Sequence, residues 1–119
     1  SKAEAIAVNF NDSVLGCGFN NIPDQAYRLV INATSSGLSG ARPDINAQHL
    51  KHCLLAYDML YGAEPTPFLH WAKAQGAQQV ADGLGMLVLQ AAEAFYLWRN
   101  KRPDIEPVLA LLQQQLKAL

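Results

Sequence analysis

The stretch "RLVINATSSG", residues 28–37, joins three consecutive apolar side chains to a loop of small polar residues. Leu29, Val30 and Ile31 show no alternation of apolar and polar positions, and a short continuous apolar run of this kind is typical of a strand buried on both faces. Strands buried on both faces belong mainly to parallel sheets covered by helices. The stretch therefore predicts a parallel sheet, with the polar residues 32–37 at the carboxyl end of one strand.

Strand and helix patterns continue on both sides of this stretch. "SVLGCGF", residues 13–19, predicts a strand closed by glycines. "CLLAYDML", residues 53–60, predicts another strand buried on both faces, and a short last strand is expected around Val80. Residues 43–50 predict a loop with a helical turn. Alternating strands and helices indicate an α/β protein with right-handed crossovers and a mostly parallel sheet in one domain.

Four helices are predicted from end signals and from periodicity. Ser1 and Glu4 have the spacing of a capping box for a helix from about Lys2 to Phe10. A second helix covers about 66–75, with Pro67 in its first turn and Gly76 at its end. A long helix starts after Asp82 and reaches about residue 100. Helical spacing predicts a final helix from an apolar stripe: Ile105, Val108, Leu109, Leu112, Leu116 and Leu119.

Composition excludes several classes of function. The chain has 119 residues, a formal net charge of -1 and no basic cluster, so we expect no binding to nucleic acid. It contains no apolar run long enough for a membrane span and no signal-peptide pattern. Cys17 and Cys53 form no C-x-x-C pair, which favours reduced thiols and a cytoplasmic location. His49, His52 and Cys53 have tempting ligand spacing, but without a second cluster we expect no metal site.

Ligands of an open parallel sheet bind beyond the carboxyl ends of its strands. Three predicted loops meet that condition, at residues 32–37, 57–61 and 82–85, and their small, polar and aromatic residues favour a polar ligand with a flat ring. The alternative is that they are ordinary turns, in which the same residue types are common. The dinucleotide fingerprint is not present, because "GCGFNN" and "GLGMLV" both lack its third glycine.

The long helix has two distinct faces at about 100° per residue. One is predicted to be core: Leu84, Leu87, Val88, Ala91, Phe95 and Trp98. On a neighbouring face lie Gly83, Met86 and Gln90, where Gly83 would let a ligand approach the backbone. Gln90 is either satisfied by neighbouring protein and solvent or bonded to a ligand, and periodicity alone leaves both alternatives open.

Three motifs together resemble one known family. "VINATSSGLSG" (30–40), "YDMLYGAEPTPFL" (57–69) and "ADGLGMLVLQAAEAFYLW" (81–98) are similar, in order and in spacing, to the C-terminal cofactor domain of the shikimate dehydrogenases. The resemblance implies an NADP-dependent oxidoreductase that reversibly reduces 3-dehydroshikimate to shikimate in aromatic amino acid (chorismate) biosynthesis. Residues 1–119 would then be the C-terminal part of its NADP-binding domain, a partial Rossmann-like doubly wound sheet with a C-terminal helical pair.

The same resemblance implies roles for individual residues. Lys2 would lie near the 2′-phosphate of NADP, Thr34 and Ser35 would line its adenosine side, and the backbones of Met59 and Gly83 would flank the nicotinamide.

The substrate would be faced by Tyr61 and Gln90, with Gln90 hydrogen-bonding one hydroxyl of shikimate.

The departures from the family pattern matter equally. The first strands, the glycine-rich phosphate loop, the catalytic lysine and its aspartate partner, and the N-terminal substrate domain have no counterpart among these 119 residues. We therefore expect a fragment that by itself binds NADP poorly and has no activity. Its strand near Val14 should be separated from the one near Val30, and its exposed sheet edges should favour homo-oligomers.

Two alternatives remain open at this point. One is a quinate/shikimate dehydrogenase paralogue that uses NAD, disfavoured by Lys2. The other is a non-catalytic Rossmann-like interaction domain, disfavoured because a scaffold has no need of Gly83, Tyr61 and Gln90 together.

Overall fold

The centre of the fold is a three-stranded parallel sheet. The computed structural model describes residues 1–11 and 13–118. Its strands are β1 (Leu29–Asn32), β2 (Leu55–Asp58) and β3 (Gln79–Ala81), in the order β1-β2-β3. Val30 pairs with Ala56, and Ala56 pairs with Val80. The predicted α/β class, the parallel direction and three strand positions are confirmed.

The described residues form four α-helices, close to their predicted bounds. They are α1 (Lys2–Ala7), α2 (Pro67–Ala74), α3 (Leu84–Arg99) and α4 (Glu106–Lys117). Shorter 3-10 turns occupy Val8–Phe10, Phe19–Asn21, Ser36–Ser39 and Ala47–Leu50. Among the described residues, no helix combines the length and the apolar character that a bilayer crossing requires.

Side-chain hydrogen bonds cap the starts of three helices, two of them at the predicted residues Ser1 and Asp82. The capping box of α1 forms between Ser1 and Glu4. Thr66 caps α2, since its Oγ1 accepts from the Leu69 backbone N at 3.3 Å. Asp82 Oδ1 accepts from the Leu84 N at 3.1 Å and so satisfies a free N–H at the start of α3.

The core lies on one face of the sheet. The side chains of Val30, Ala56 and Val80 point to this face, which is covered by α2 and by the turn Ala47–Leu50. The buried members of the core are Leu50, Cys53, Ala56, Phe68, Leu69, Ala72 and Ala77. Burial of this apolar face is the main favourable contribution to folding.

The opposite face of the sheet corrects the prediction of two buried faces. Leu29 is 52% exposed and Ile31 is 54% exposed, and both alternate with the inward-facing Val30 and Asn32. Successive side chains of a strand point to opposite faces, and over β1 the outer face carries no covering helix in the described part of the chain. The apolar run is parallel strand, as predicted, but only one of its faces is buried.

The predicted strand at residues 13–19 is wrong. Residues 13–18 have no regular structure, and Val14 and Leu15 are exposed. Gly16 packs against α1, because a Cβ at Gly16 would lie 2.1 Å from the carbonyl oxygen of Ala3. The segment packs against α1 and forms no strand. The expected strand near Val14, separated from the strand near Val30, is therefore not found.

The predicted core face of α3 is buried only in its first half. Leu84 and Val88 are buried, whereas Phe95 is exposed and Trp98 is 80% exposed. The helix extends beyond the sheet, where α4 packs beside it and Arg102 pairs with Glu93. The predicted stripe of α4 is half-buried at four positions, but Val108 is exposed, and Leu119 lies outside the described residues.

Candidate functional site

The loops that follow the three strands lie at one edge of the sheet. The Met59 N donates to the Asn32 carbonyl oxygen at 3.0 Å, and the Gly83 N donates to the Leu60 carbonyl oxygen at 3.1 Å. These backbone bonds join the loop after β1 to the loop after β2, and the loop after β2 to the loop after β3. We call residues 32–36, 58–61 and 82–83 the strand-end site.

Asp58 is the most buried polar group of the strand-end site. Its side chain is fully buried and its Oδ2 accepts from Asn32 Nδ2 at 3.1 Å and from Thr66 Oγ1 at 2.5 Å. Its Oδ1 accepts from the Leu60 N at 3.1 Å. A carboxylate out of contact with water is costly unless hydrogen bonds replace its hydration, and three donors do so here.

Asn32 carries this network into the loop after β1. Its Oδ1 accepts from the Thr34 N at 3.1 Å and from Thr34 Oγ1 at 2.8 Å. Thr34 Oγ1 also lies 2.7 Å from Ser36 Oγ. The Asn32 side chain thereby closes an Asx turn, which holds the loop in one conformation while Thr34 and Ser35 remain exposed.

The Met59 backbone lies so close to position 83 that only glycine fits there. A Cβ on Gly83 would lie 2.0 Å from the Met59 carbonyl oxygen, and real Cβ atoms do not approach backbone so closely. The close approach seen in the structure is that of the Met59 backbone, and the approach of a ligand to Gly83 stays a prediction. The structure thus places Met59 and Gly83 in direct contact at the strand-end site.

The remaining predicted site residues lie at different places. Lys2 is exposed on α1, outside the sheet, and the hydrogen bonds described for the strand-end site do not include it. Tyr61 is exposed in the loop after β2. Gln90 is exposed on α3 and lines an open concavity of about 480 Å³ whose lining does not include Tyr61. Because solvent reaches Gln90, its amide carries no desolvation cost in this chain.

Sequence reasoning did not single out Asn32 and Asp58 of the strand-end site, or Thr66, which donates to Asp58 from the start of α2. A signal for Asp58 was available, because an acidic residue interrupts an otherwise apolar stretch at the end of a predicted strand. Its pairing with Asn32 requires the register of β1 and β2, in which these two residues lie side by side. That register spans 26 positions of sequence and is not visible in either motif alone.

The His49, His52 and Cys53 cluster does not form a metal site. His49 and Cys53 are buried, whereas His52 is exposed. Within residues 1–11 and 13–118, no group of three or more His, Cys, Asp or Glu side chains could hold a metal ion.

A second cavity of about 530 Å³ adjoins the strand-end site at Asp82 and extends away from it. Its walls are residues 62–65, β3, the start of α3 and one side of α4. Its polar lining includes Glu64, Asp82, Gln113 and Lys117. Within the described residues, the one buried side-chain atom without a hydrogen-bond partner is Nδ1 of His49. His49 lines a different cavity, so the polar lining of this one includes no such atom.

Comparison with known proteins points to one family. A family model described as the shikimate 5'-dehydrogenase C-terminal domain matches residues 83–113. A shikimate dehydrogenase (NADP(+)) of Cellvibrio japonicus is 52% identical over 118 residues, which cover 98% of this chain and 43% of the relative. One from Alcanivorax borkumensis is 53% identical over 116 residues, covering 94% of this chain and 41% of the relative. The chain thus spans less than half the length of the curated relatives it matches.

Solved structures agree in fold. The chain superposes on an Ael1 enzyme from Pseudomonas putida with a TM-score of 0.81 and 40% identity, covering 98% of this chain and 42% of that one. A 5-ketofructose reductase of Gluconobacter gives a TM-score of 0.70 at 30% identity, with 96% and 43% of the two chains covered.

The fold and the strand-end site define the chain as a Rossmann-like α/β protein. It belongs to the shikimate dehydrogenase family, and it contains the segment that matches the C-terminal domain of that family.

Proposed function

We propose that the chain provides the cofactor face of an NADP-dependent shikimate dehydrogenase, which reversibly reduces 3-dehydroshikimate to shikimate in aromatic amino acid biosynthesis. One observation carries the proposal: the three sequence motifs that resemble the family converge on one strand-end site at the carboxyl edge of a parallel sheet. The first relatives named above carry NADP(+) in their names and share about half of their residues with this chain over the matched region.

The chemistry of the strand-end site fits a polyanionic cofactor. Its exposed groups are the hydroxyls of Thr34 and Ser35 and the backbone at Met59, all able to hydrogen-bond a ligand without adding negative charge. The site has two carboxylates: Asp58 is buried and its hydrogen bonds go to protein donors, and Asp82 is half-buried with its Oδ1 accepting from the Leu84 N. At the loops after β1 and β2, an approaching phosphate or ribose therefore meets neutral donors and acceptors.

The proposed role of each residue follows from its position. NADP supplies the hydride of the reaction when it is bound. Thr34 and Ser35 bind the adenosine side, the backbones of Met59 and Gly83 position the nicotinamide, and Lys2 on α1 offers an exposed cation to the 2′-phosphate.

Substrate recognition is proposed for Tyr61 and Gln90. The Gln90 amide has one acceptor and two donors, a set that suits a polyhydroxylated ring, and the phenol of Tyr61 can both donate and accept. Both side chains are exposed, so binding of substrate would have to replace their contacts with water.

Location and assembly complete the proposal. Cys17 and Cys53 are both free thiols, which fits the reducing conditions of the cytoplasm. Homo-oligomers are proposed through the outer edge of β1, which pairs with no strand in the described part of the chain.

A chimera tests the proposal without an assumption about the rest of the polypeptide. Residues 1–119 replace the matching segment of the Cellvibrio japonicus relative. The formation of NADPH from NADP⁺ during oxidation of shikimate is then measured. The assay is repeated with quinate in place of shikimate and with NAD⁺ in place of NADP⁺. We expect oxidation of shikimate with NADP⁺, and we expect no activity from the 119 residues alone. A folded chimera that oxidises quinate with NAD⁺ would favour the paralogue, and one inactive on both substrates would contradict the enzyme proposal.

Two glutamine variants of the chimera test the substrate side. Gln90→Ala should raise the KM for shikimate by about tenfold, the effect of one lost hydrogen bond to a neutral group, and leave the KM for NADP⁺ unchanged. Gln114→Ala, an exposed glutamine on α4, is the matched control and should change neither constant. Equal behaviour of the two variants would remove Gln90 from the site.

A further inference from the structure

We propose that Asp58 is a positioning residue, which through Asn32 and Leu60 fixes the two cofactor-facing loops of the strand-end site relative to each other. The ligand of these loops is taken from the proposed function, but the positioning itself rests on contacts in the structure. Asp58 touches neither exposed loop surface, since it is fully buried. Its effect is transmitted by hydrogen bonds in two directions.

The first direction runs from Asp58 to Thr34. A carboxylate only accepts hydrogen bonds, so Asn32 must turn its Nδ2 toward Asp58 Oδ2, at 3.1 Å. The Oδ1 of Asn32 then faces the other way, where it accepts from both the N and the Oγ1 of Thr34. Asp58 thus selects one of the two orientations of the Asn32 amide, and that orientation is the one that closes the Thr34 turn.

The second direction runs from Asp58 to Gly83. Asp58 Oδ1 accepts from the Leu60 N at 3.1 Å, which fixes the chain immediately after Met59. The Leu60 carbonyl oxygen in turn accepts from the Gly83 N at 3.1 Å. Thr66, the N-cap of α2, donates to Asp58 at 2.5 Å and anchors the carboxylate to a helix. Asp58 therefore connects the ends of β1 and β2 directly, and the end of β3 through the Leu60 backbone.

Asparagine at position 58 cannot replace this function. Whichever way its amide is turned, its NH₂ group faces a donor, either the Nδ2 of Asn32 or the N of Leu60. Relief would require the Asn32 amide to flip, and the flip would present its NH₂ to the N–H of Thr34. The substitution is nearly isosteric, so it removes the hydrogen-bond pattern without creating a cavity.

Exchange of the two side chains should restore the pattern. In the double variant Asn32→Asp with Asp58→Asn, the new amide at 58 can donate to the new carboxylate at 32 and accept from the Leu60 N. The Thr66 hydroxyl, which donates to Asp58 Oδ2 in the parent, then accepts from the same NH₂ group. The carboxylate at 32 can still accept from the N and Oγ1 of Thr34. Asn32→Asp alone should disturb the two loops more than either Asp58→Asn or the double variant, because it sets two carboxylates about 3 Å apart.

Hydrogen exchange of the 119-residue chain, followed by NMR, tests this without any cofactor. In Asp58→Asn the amides of Thr34 and Leu60 should exchange at least about tenfold faster, as expected for the loss of a buried hydrogen bond, and the double variant should return to within about twofold of the parent. Asp104→Asn is the matched control, since exposed Asp104 accepts from the Glu106 N in a similar turn. It should leave both amides unchanged.

The outcomes are decisive even if a single variant does not fold. Unchanged exchange at Thr34 and Leu60 in Asp58→Asn would overturn the proposal. If that variant is unfolded, a folded and protected double variant supports the proposal, and an unfolded double variant overturns it. If Asp58 only stabilised the fold as a whole, Asp58→Asn would raise the exchange of the core amides of Ala56 and Val80 as much as that of Thr34 and Leu60, and this result would overturn the proposal.

The chimera described above connects the positioning to function. Asp58→Asn should raise the KM for NADP⁺ about tenfold, as expected for one poorly placed hydrogen bond, with the KM for shikimate unchanged and the effect reversed in the double variant. An inactive parent chimera would count against the proposed function, while the exchange experiment would still decide the positioning. A KM for NADP⁺ that is the same in the parent and in Asp58→Asn would overturn the link to the cofactor.

Discussion

The two faces of the sheet are equally apolar in sequence but differ in the structure. One face, with Val30, Ala56 and Val80, is covered by α2 and contributes to the core. The other carries Leu29 and Ile31 on β1, each about half exposed. Apolar composition therefore indicates that a strand is suited to burial, but which face is covered depends on where the next helix packs.

The largest difference between the two faces should appear in a pair of substitutions. Phe68→Ala removes a buried side chain of α2 that belongs to the core, and should lower the free energy of unfolding by about 3–5 kcal/mol. Ile31→Ala on the open face should lower it by about 1 kcal/mol or less. Urea denaturation of both variants measures the contrast, and equal losses would mean that the outer face is also packed in solution.

The contact between Met59 and Gly83 should give the next largest effect. Gly83→Ala forces a Cβ into the Met59 carbonyl and should cost about 1–3 kcal/mol, as overpacking does. Gly85→Ala is the matched control two residues along, because its Cβ would meet nothing within 4 Å. Alanine there should stabilise α3 by about 0.5–1 kcal/mol. If both substitutions change stability in the same direction, the close approach at Gly83 is contradicted.

Thr66 links the buried face to the strand-end site. Thr66→Ala removes the N-cap of α2 and one donor to Asp58, and should cost about 1–2 kcal/mol in thermal or urea unfolding. Thr66→Ser keeps the hydroxyl and should retain most of that stability. A serine variant as unstable as the alanine variant would assign the effect to the lost methyl group instead.

The smallest effect concerns the reactivity of the two cysteines and the pH dependence that follows from the burial of Cys53. Cys53 lies in the core, and burial raises the pKa of its thiol, so the reactive thiolate is disfavoured. Cys17 is half-buried in the irregular segment beside α1. A thiol reagent at pH 8 should therefore label Cys17 quickly and Cys53 only after unfolding. Because the pKa of Cys53 is higher in the folded chain, the unfolded chain loses this proton first as the pH rises. Alkaline pH therefore lowers the free energy of unfolding.

Local patterns predicted the parts of the fold that depend on neighbouring residues. The capping box at Ser1, the start of α3 after Asp82 and the apolar runs of β1 and β2 were all found from the sequence. Each involves residues within a few positions of one another. The motifs that resemble the shikimate dehydrogenases also identified the loops of the strand-end site.

Features that depend on distant partners were missed. The segment 13–19 has strand composition, but a strand needs a partner, and Gly16 instead packs on Ala3. The pairing of Asn32 with Asp58 depends on strand register, which fixes which two side chains lie side by side. Exposure of Trp98 depends on where α3 leaves the sheet, which helical periodicity does not describe.

The central claim is that the strand-end site is the cofactor face of the chain. Hydrogen–deuterium exchange of the chimera with and without NADP⁺ tests this most directly. We predict lower deuterium uptake with NADP⁺ in peptides covering residues 32–37, 57–61 and 82–85, and no change in residues 105–117 of the α4 region. Protection confined to residues 62–65 and α4, around the second cavity, would contradict the account.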